Sequence, residues 1–329
     1  MKRPKLSVLV ATKDRPSELA RLLGSLEECQ RSDFVFEVVI ISNGSHKEDR
    51  EVLEAAWKGF TVVPLYENVA GKSRALNHGL DVSLGELIVF TDDDIVPDPS
   101  WLIAIYRGSL RYPAASVFCG PIIPVYPPDI PEWMRYHRYS DAMFARFEPN
   151  LREGTLPDTI LPFGGNFAVR RCAIQGHRFS LQFGPSADNG PLLGEDVEFL
   201  HRLRSDHKEF IFLPDAAVRH MIVASRTKRA ALFERAFHIG RSIALQDGKP
   251  RFREAPIFHQ EDKLNSELVA FDIGALLNYY CGQLDACRNL FGATYELQLW
   301  QALHGLHLEQ HIASLCKAAL ETISAPIRN

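Results

Sequence analysis

The run Glu86-Leu87-Ile88-Val89-Phe90-Thr91 ends abruptly in Asp92-Asp93-Asp94. A near-continuous row of apolar β-formers is what a strand covered on both faces requires, so it predicts an interior strand of a parallel sheet. Three adjacent carboxylates repel one another, and a fold that gathers them usually supplies a cation or a cationic ligand. Residues i and i+2 of an extended chain share a face. That spacing aims Asp92 and Asp94 at one Mg2+ or Mn2+ as hard oxygen ligands. Open α/β sheets bind ligands beyond the carboxyl ends of their strands, so a cation there is expected to hold the phosphates of a nucleotide. Acids ahead of Pro99-Ser100-Trp101 would also suit a helix N-terminus. An EF-hand loop is ruled out, because its twelfth position would be Ile103.

The pattern around this run is α/β. Strands are expected at Leu6–Ala11, Phe36–Ile41, Phe60–Leu65 and Leu87–Thr91, and helices at Pro16–Glu28, Ser45–Trp57, Gly71–Val82 and Pro99–Arg111. Leu19, Leu22, Leu23 and Leu26 recur at helical spacing behind Pro16, which suits a first helical turn. Strands separated by helices make a parallel sheet. From Pro121 to Pro162 proline and aromatic residues dominate, which predicts a long irregular functional loop or lid. Next come a strand at Asn166–Val169, a helix opening at Gly194-Glu195-Asp196, and strands near Phe210–Leu213 and Ala217–His220. Beyond Thr227 the pattern is mostly helical.

Composition narrows the classes. Of 329 residues, 46% are hydrophobic and 24% charged, as in ordinary globular proteins. A net charge of −4 gives no reason to expect a nucleic-acid partner. Cys29, Cys119, Cys172, Cys281, Cys287 and Cys316 are scattered without a CxxC pair, which argues for reduced thiols in the cytoplasm. Met1-Lys2-Arg3-Pro4 runs into a strand without the apolar core of a signal peptide, and no segment is apolar enough to span a bilayer. A cytoplasmic protein is expected, with peripheral contact at the inner face of the membrane left open.

Several polar groups share the sheet edge where the acids lie. Thr12, Asp14 and Arg15 follow the first strand, and Ser42 and Asn43 follow the second. Free N–H groups at such turns receive phosphates or bases, although each alone is an ordinary strand-to-helix turn. Lys72, Arg74 and Asn77 put two cations and an amide at a helix start, either for a diphosphate or as a solvated face. Glu195 and Asp196 open a helix whose buried stripe is Val197, Leu200 and Leu203. They serve either the helix dipole or as a general base for an attacking hydroxyl. His220 ends a strand, where a lone histidine is more often structural. Arg235, His238 and Arg241 share a helix face as a phosphate clamp or a solvated stripe. His304, His307 and His311 also share a face, without neighbouring acids to support a zinc site.

Taken together, these residues resemble the family 2 glycosyltransferases, the inverting, nucleotide-sugar-dependent enzymes of the GT-A fold. The likeness spans about residues 5 to 225. It rests on Val8-Leu9-Val10-Ala11-Thr12-Lys13-Asp14-Arg15-Pro16, Ser42-Asn43-Gly44-Ser45, Gly71-Lys72-Ser73-Arg74-Ala75-Leu76-Asn77, the DxD-type Thr91-Asp92-Asp93-Asp94, Gly164-Gly165-Asn166-Phe167-Ala168-Val169-Arg170-Arg171 and Gly194-Glu195-Asp196. The resemblance implies a Rossmann-like, mainly parallel central sheet flanked by helices, with a C-terminal helical extension. Residues 1–120 would form the nucleotide-sugar half, 121–225 the acceptor and catalytic half, and 226–329 the helical region.

It further implies that Thr12, Asp14 and Arg15 line the base and ribose pocket. Asp92 and Asp93 would reach ribose and sugar, and Asp94 would hold the metal, with His220 as an added ligand. Gly165 and Asn166 would border donor sugar and acceptor. Asp196 would be the base, ahead of Glu195. Many members carry an acid at the position of Ser42, where it reads uracil; serine there leaves UDP, GDP and dTDP open. The expected reaction moves a sugar from a nucleotide-diphosphate sugar to a hydroxyl of a glycan or lipid-linked sugar, with Mn2+ or Mg2+. A nucleotidyltransferase and a non-catalytic carbohydrate- or nucleotide-binding module are the alternatives. The first lacks its Gly-rich loop here, and the second is at odds with intact acidic pairs. In the C-terminal region, Leu268, Phe271, Ala275, Leu276 and Tyr279 recur at helical spacing, as for a core, a homo-oligomer interface or a membrane-facing helix.

Overall fold

The structure is a computed structural model that describes residues 3–30, 34–43, 49–131, 134–135, 140–186 and 192–247, with positions 275, 278, 279, 281–283, 285 and 286. The chain divides into two compact units. One is Met1–Ile130 with Arg135–Val223, and the other is Pro131–Met134 with Ala224–Asn329.

In the first unit the described strands form two sheets. The larger is built from β1 (Leu6–Thr12), β2 (Phe36–Asn43), β3 (Thr61–Glu67), β4 (Leu87–Asp92), β6 (Val117–Cys119), β8 (Gly154–Thr155), β9 (Phe167–Arg170) and β10 (Phe210–Phe212), in the order β3-β2-β1-β4-β9-β6-β10-β8. The smaller has the order β5-β11-β7, from β5 (Ile95–Pro97), β7 (Ile122–Val125) and β11 (Val218–Met221). Strands β1 to β4 run parallel, with Ala11 opposite both Ile41 and Asp92. Strand β9 enters antiparallel between β4 and β6.

The continuous apolar runs predict this placement. Every residue of β2 is buried, as are Leu6 to Val10 of β1 and Leu87 to Thr91 of β4, because helices cover both faces. Helix α1 (Pro16–Glu27) buries Leu19, Leu22, Leu23 and Leu26, the stripe visible in the sequence. Helices α2 (Arg50–Glu54), α3 (Lys72–Val82) and α4 (Trp101–Arg111) follow. Four leucines buried on one α1 face contribute on the order of 1.5–3 kcal/mol each.

One expectation changes. The segment after Gly120 is not irregular throughout: it holds β7, helix α5 (Ser140–Phe144) and β8. These elements are too short to carry a readable period, and β7 exists because β11 pairs with it. The short strands β5 and β6 were equally invisible. Helix α6 (Arg171–Ile174) follows β9, and α7 (Glu195–Ser205) opens at Glu195 as expected.

In the second unit, α8 (Arg229–Asp247) buries Leu232, Ala236, His238 and Ala244, and Arg241 pairs with Asp285 at 3.1 Å. Arg241 and His238 are therefore held within their own unit and are not a solvated stripe. The expected histidine face at 304, 307 and 311, and Leu268, Phe271 and Leu276, lie outside the described residues. Among the described residues no helix is long and apolar enough to cross a membrane.

Candidate active site

The chain runs outward from β1 to β2 and β3, then returns to the other side of β1 with β4. The strand order reverses between β1 and β4, so a crevice opens beyond their carboxyl ends. Both strands deliver polar residues there. Thr12 ends β1 buried, and its Oγ1 donates to Asp93 Oδ2 at 2.9 Å across the crevice. Arg15, at the start of α1, donates through Nη1 to Asp93 Oδ1 at 2.9 Å and Asp94 Oδ2 at 3.2 Å. Burial pushes the Asp93 carboxyl up to about 6, while Arg15 and Thr12 oppose it. Asp14 stands exposed in the left-handed region with φ 55°.

Strand β4 ends at Asp92, so two-residue alternation does not govern the next two acids. Asp93 and Asp94 lie in a turn, fixed by a bond from Met221 N to the Asp94 carbonyl at 2.9 Å. Asp94 Oδ1 faces His220 Nε2 at 3.5 Å. His220 Nδ1 is 2.7 Å from the Phe144 carbonyl, an acceptor only, so Nδ1 carries a hydrogen and donates. In the neutral ring Nε2 then turns its lone pair toward the Asp94 carboxylate. A charged ring makes the contact an ion pair; a neutral ring makes it an oxygen and an imidazole nitrogen side by side, donor types that a divalent cation takes.

Asp92 points elsewhere. Its Oδ1 binds Lys72 Nζ at 2.8 Å, and the same Nζ binds Glu195 Oε1 at 2.9 Å. Burial pulls the Lys72 ammonium down, but the carboxylates of Asp92, Glu195 and Asp196 outweigh it and hold it well above its ordinary value. The expected trio Asp94, Asp92 and His220 is thus not one cluster. Asp94 and His220 meet, while Asp92 is turned to Lys72. Among the described residues no three His, Cys, Asp or Glu are gathered as a metal set.

Helix α7 brings Glu195 and Asp196 to a small depression lined by Lys72, Phe90, Asp92, Gly164 and Phe179 among others. Beneath it, Phe199 of α7 stacks on Phe179 at 4.4 Å, and Phe90 of β4 meets Phe179 edge-on at 5.4 Å and Phe199 at 6.1 Å, which anchors α7 to β4. Asp196 Oδ2 accepts the Gly164 amide. A Cβ at residue 164 would lie 2.6 Å from that oxygen, so glycine is required for the carboxylate to reach the backbone. Burial raises the Asp196 carboxyl to about 6, the charge of Glu195 adds to this, and Lys72 opposes it.

Other expected ligand residues have their polar groups engaged within the protein. Asn166 is fully buried: Oδ1 accepts Trp101 Nε1–H at 2.8 Å, and Nδ2 donates to the carbonyls of Pro121 at 3.0 Å and Ala216 at 2.7 Å. Asn77 exchanges two bonds with the Phe179 backbone, at 2.9 and 2.8 Å. Asn43 Oδ1 accepts the Gly71 amide at 3.0 Å, which ties β2 to the start of α3. Ser42 is buried and donates to Asp49 Oδ2 at 2.9 Å. Gly165 is buried, its carbonyl accepting Thr91 Oγ1 at 2.9 Å. Arg74 is half-buried at the first turn of α3. Asp49 and Trp101 were not singled out from sequence. Neither lies in a motif, and only the fold brings them to Ser42 and Asn166.

This architecture, a mostly parallel sheet with an acidic turn at its switch point, is that of the GT-A glycosyltransferases. The glycosyl transferase family 2 model matches residues 7–177, and the chain belongs to that family. It is a glycosyltransferase. The chain is 27% identical over 242 residues to the succinoglycan biosynthesis protein ExoM of Rhizobium meliloti, covering 72% of this chain and 73% of that one. Among solved structures it is similar to S. aureus TarS in complex with UDP-GlcNAc, with TM-score 0.55, 16% identity, and 91% and 79% of the two chains covered. It is also similar to the mannosyltransferase PcManGT from Pyrobaculum calidifontis in complex with GDP-Man and Mn2+, with TM-score 0.52, 19% identity, and 98% and 88% covered.

Proposed function

We propose that this enzyme transfers a sugar, with inversion, from a nucleotide-diphosphate sugar to a hydroxyl of a glycan or lipid-linked acceptor, with Asp196 as general base. The observation that carries the reading is the Asp196 carboxylate. It is half-buried, raised to about 6, held by the Gly164 amide, and set in the depression that Asp92 and Lys72 also line. Glu195 is tied to Lys72, which leaves Asp196 as the base. It takes the proton from the acceptor hydroxyl, and the oxygen attacks the anomeric carbon opposite the departing diphosphate. One displacement inverts the centre, and one base suffices.

Residues 1–120 supply the donor side and 121–225 the acceptor side, with 226–329 as a helical extension. Thr12, Asp14 and Arg15 lie on the base and ribose side, and Lys72 and Arg74 serve the diphosphate. The UDP-GlcNAc and GDP-Man complexes of similar structures support a nucleotide-sugar donor, and the second supports Mn2+. The facing donors of Asp94 and His220, a hard oxygen and an imidazole, fit Mn2+ or Mg2+. Bound there, the cation would neutralise charge on the leaving diphosphate. The likeness to ExoM supports a polysaccharide acceptor.

Replacing Asp196 with Asn tests the assignment. Turnover falls by about 10²–10⁴-fold, while donor binding by titration calorimetry stays within about twofold. Retained turnover sinks the assignment of Asp196 as base.

A further inference from the structure

Ser73 and Asn77 stand at i and i+4 on α3, one above the other on the same face, and both bond to one segment, residues 179–186. Asn77 holds Phe179 twice: its Nδ2 donates to the Phe179 carbonyl at 2.9 Å, and its Oδ1 accepts the Phe179 amide at 2.8 Å. Ser73 is buried and donates to the Phe183 carbonyl at 2.7 Å. The Lys72 amide, the first of the helix, donates to the Pro185 carbonyl at 3.0 Å, and Gly71 forms a β-bridge with Ser186. Helix starts commonly receive anions, but the first amide of this one is given to the chain's own carbonyl.

The held segment meets α7 on its other side. Phe179 stacks on Phe199 of α7 at 4.4 Å. Gly184, at φ 85°, passes between the two helices: a Cβ there would lie 2.9 Å from Ser73 Oγ and 3.3 Å from Glu195 Cβ. Lys72 Nζ spans the same gap to Glu195 Oε1 at 2.9 Å. The first turn of α7, which carries Asp196, thus rests on a strap that α3 holds in place. We propose that Ser73 and Asn77 are positioning residues of this transferase, acting through the strap to set Asp196 against the Gly164 amide. The inference rests on the reading of Asp196 as the base and adds the two residues that seat it.

Release of the strap is local. Without the Asn77 amide, the Phe179 N–H and carbonyl lose this partner, and the ring loses its fixed seat against Phe199. Helix α7 keeps Phe199, Leu200 and Leu203 buried, so it shifts rather than unfolds. A reacting group misplaced by about 1 Å can lose on the order of a hundredfold in rate.

Amide hydrogen exchange of the full chain, resolved by NMR, tests this without any substrate. The informative signal is the Gly164 amide, which is remote in sequence from the strap and donates to Asp196. Asn77→Ala is expected to speed exchange in residues 179–186 and at Gly164 by about tenfold or more, with β1 and β4 unchanged. Ser73→Ala should act in the same direction, and it decides the matter if Asn77→Ala does not fold. Exchange that speeds in the strap alone, or equally in β1 and β4, overturns the role. Turnover supplies a second reading, with UDP-GlcNAc or GDP-Man, whichever the wild type consumes with Mn2+. In the variants kcat should fall about tenfold or more while KM for the donor stays within about twofold. An unchanged kcat overturns the role and leaves Asp196 as base. Retained turnover in Asp196→Asn removes the base itself, and this inference falls with it.

Discussion

At the scale of single residues, the site is governed by how burial divides the carboxylates. Glu195 is held by Lys72, whereas Asp196 is raised to about 6 by burial and by its neighbour. As base it must be ionised, so kcat/KM should fall about tenfold per pH unit below roughly pH 6. A profile flat down to pH 5 would remove Asp196 from the role. The same group affects stability with opposite sign. Its folded pKa lies above the unfolded value near 3.8, so its favourable contribution is complete below about pH 4 and is lost as pH rises through 6. Asp196→Asn should therefore melt higher than the wild type at pH 8, with the difference vanishing near pH 4 in a pH series of thermal scans.

At the scale of elements, the loop ahead of β9 does two jobs with residues two positions apart. Gly164 lets α7 bring Asp196 onto its amide, and Asn166 clasps Trp101 of α4 and the carbonyls of Pro121 and Ala216. The two variants should separate. Gly164→Ala displaces the base and should lower kcat by roughly a hundredfold. Asn166→Ala leaves the Trp101 indole N–H and the Ala216 carbonyl without their partner, the Pro121 carbonyl keeping the Val218 amide, and should cost about 2–4 kcal/mol in denaturant unfolding. A Gly164→Ala enzyme with normal kcat would mean that α7 is not positioned through this contact. The glycine pair and the asparagine were visible in the sequence as a motif. That the first serves Asp196 and the second serves the fold was not, because both partners are distant along the chain.

At the scale of the whole molecule, a ligand that binds only the folded chain raises its stability by mass action, about 2.7 kcal/mol at a hundredfold excess over Kd. A nucleoside diphosphate with Mn2+ should thus raise Tm by several degrees. Asp94→Ala or excess chelator should remove the metal-dependent part. An equal shift with and without metal would separate Asp94 and His220 from any cation.

Local pattern was enough for the framework. Apolar runs with helical spacing between them define β1 to β4 with α1, α3 and α4, since burial on both faces dictates composition residue by residue. The acidic end of β4 and the acidic start of α7 were legible for the same reason: charges interrupt a buried pattern. Short strands such as β5 and β7 carry too few residues for a period and exist through their partner β11. Partnerships were beyond the sequence altogether. That Asp92 turns to Lys72, Asp94 to His220 and Ser42 to Asp49 follows from the chain ending its strand at Asp92 and from contacts between distant segments, which one-dimensional spacing does not encode.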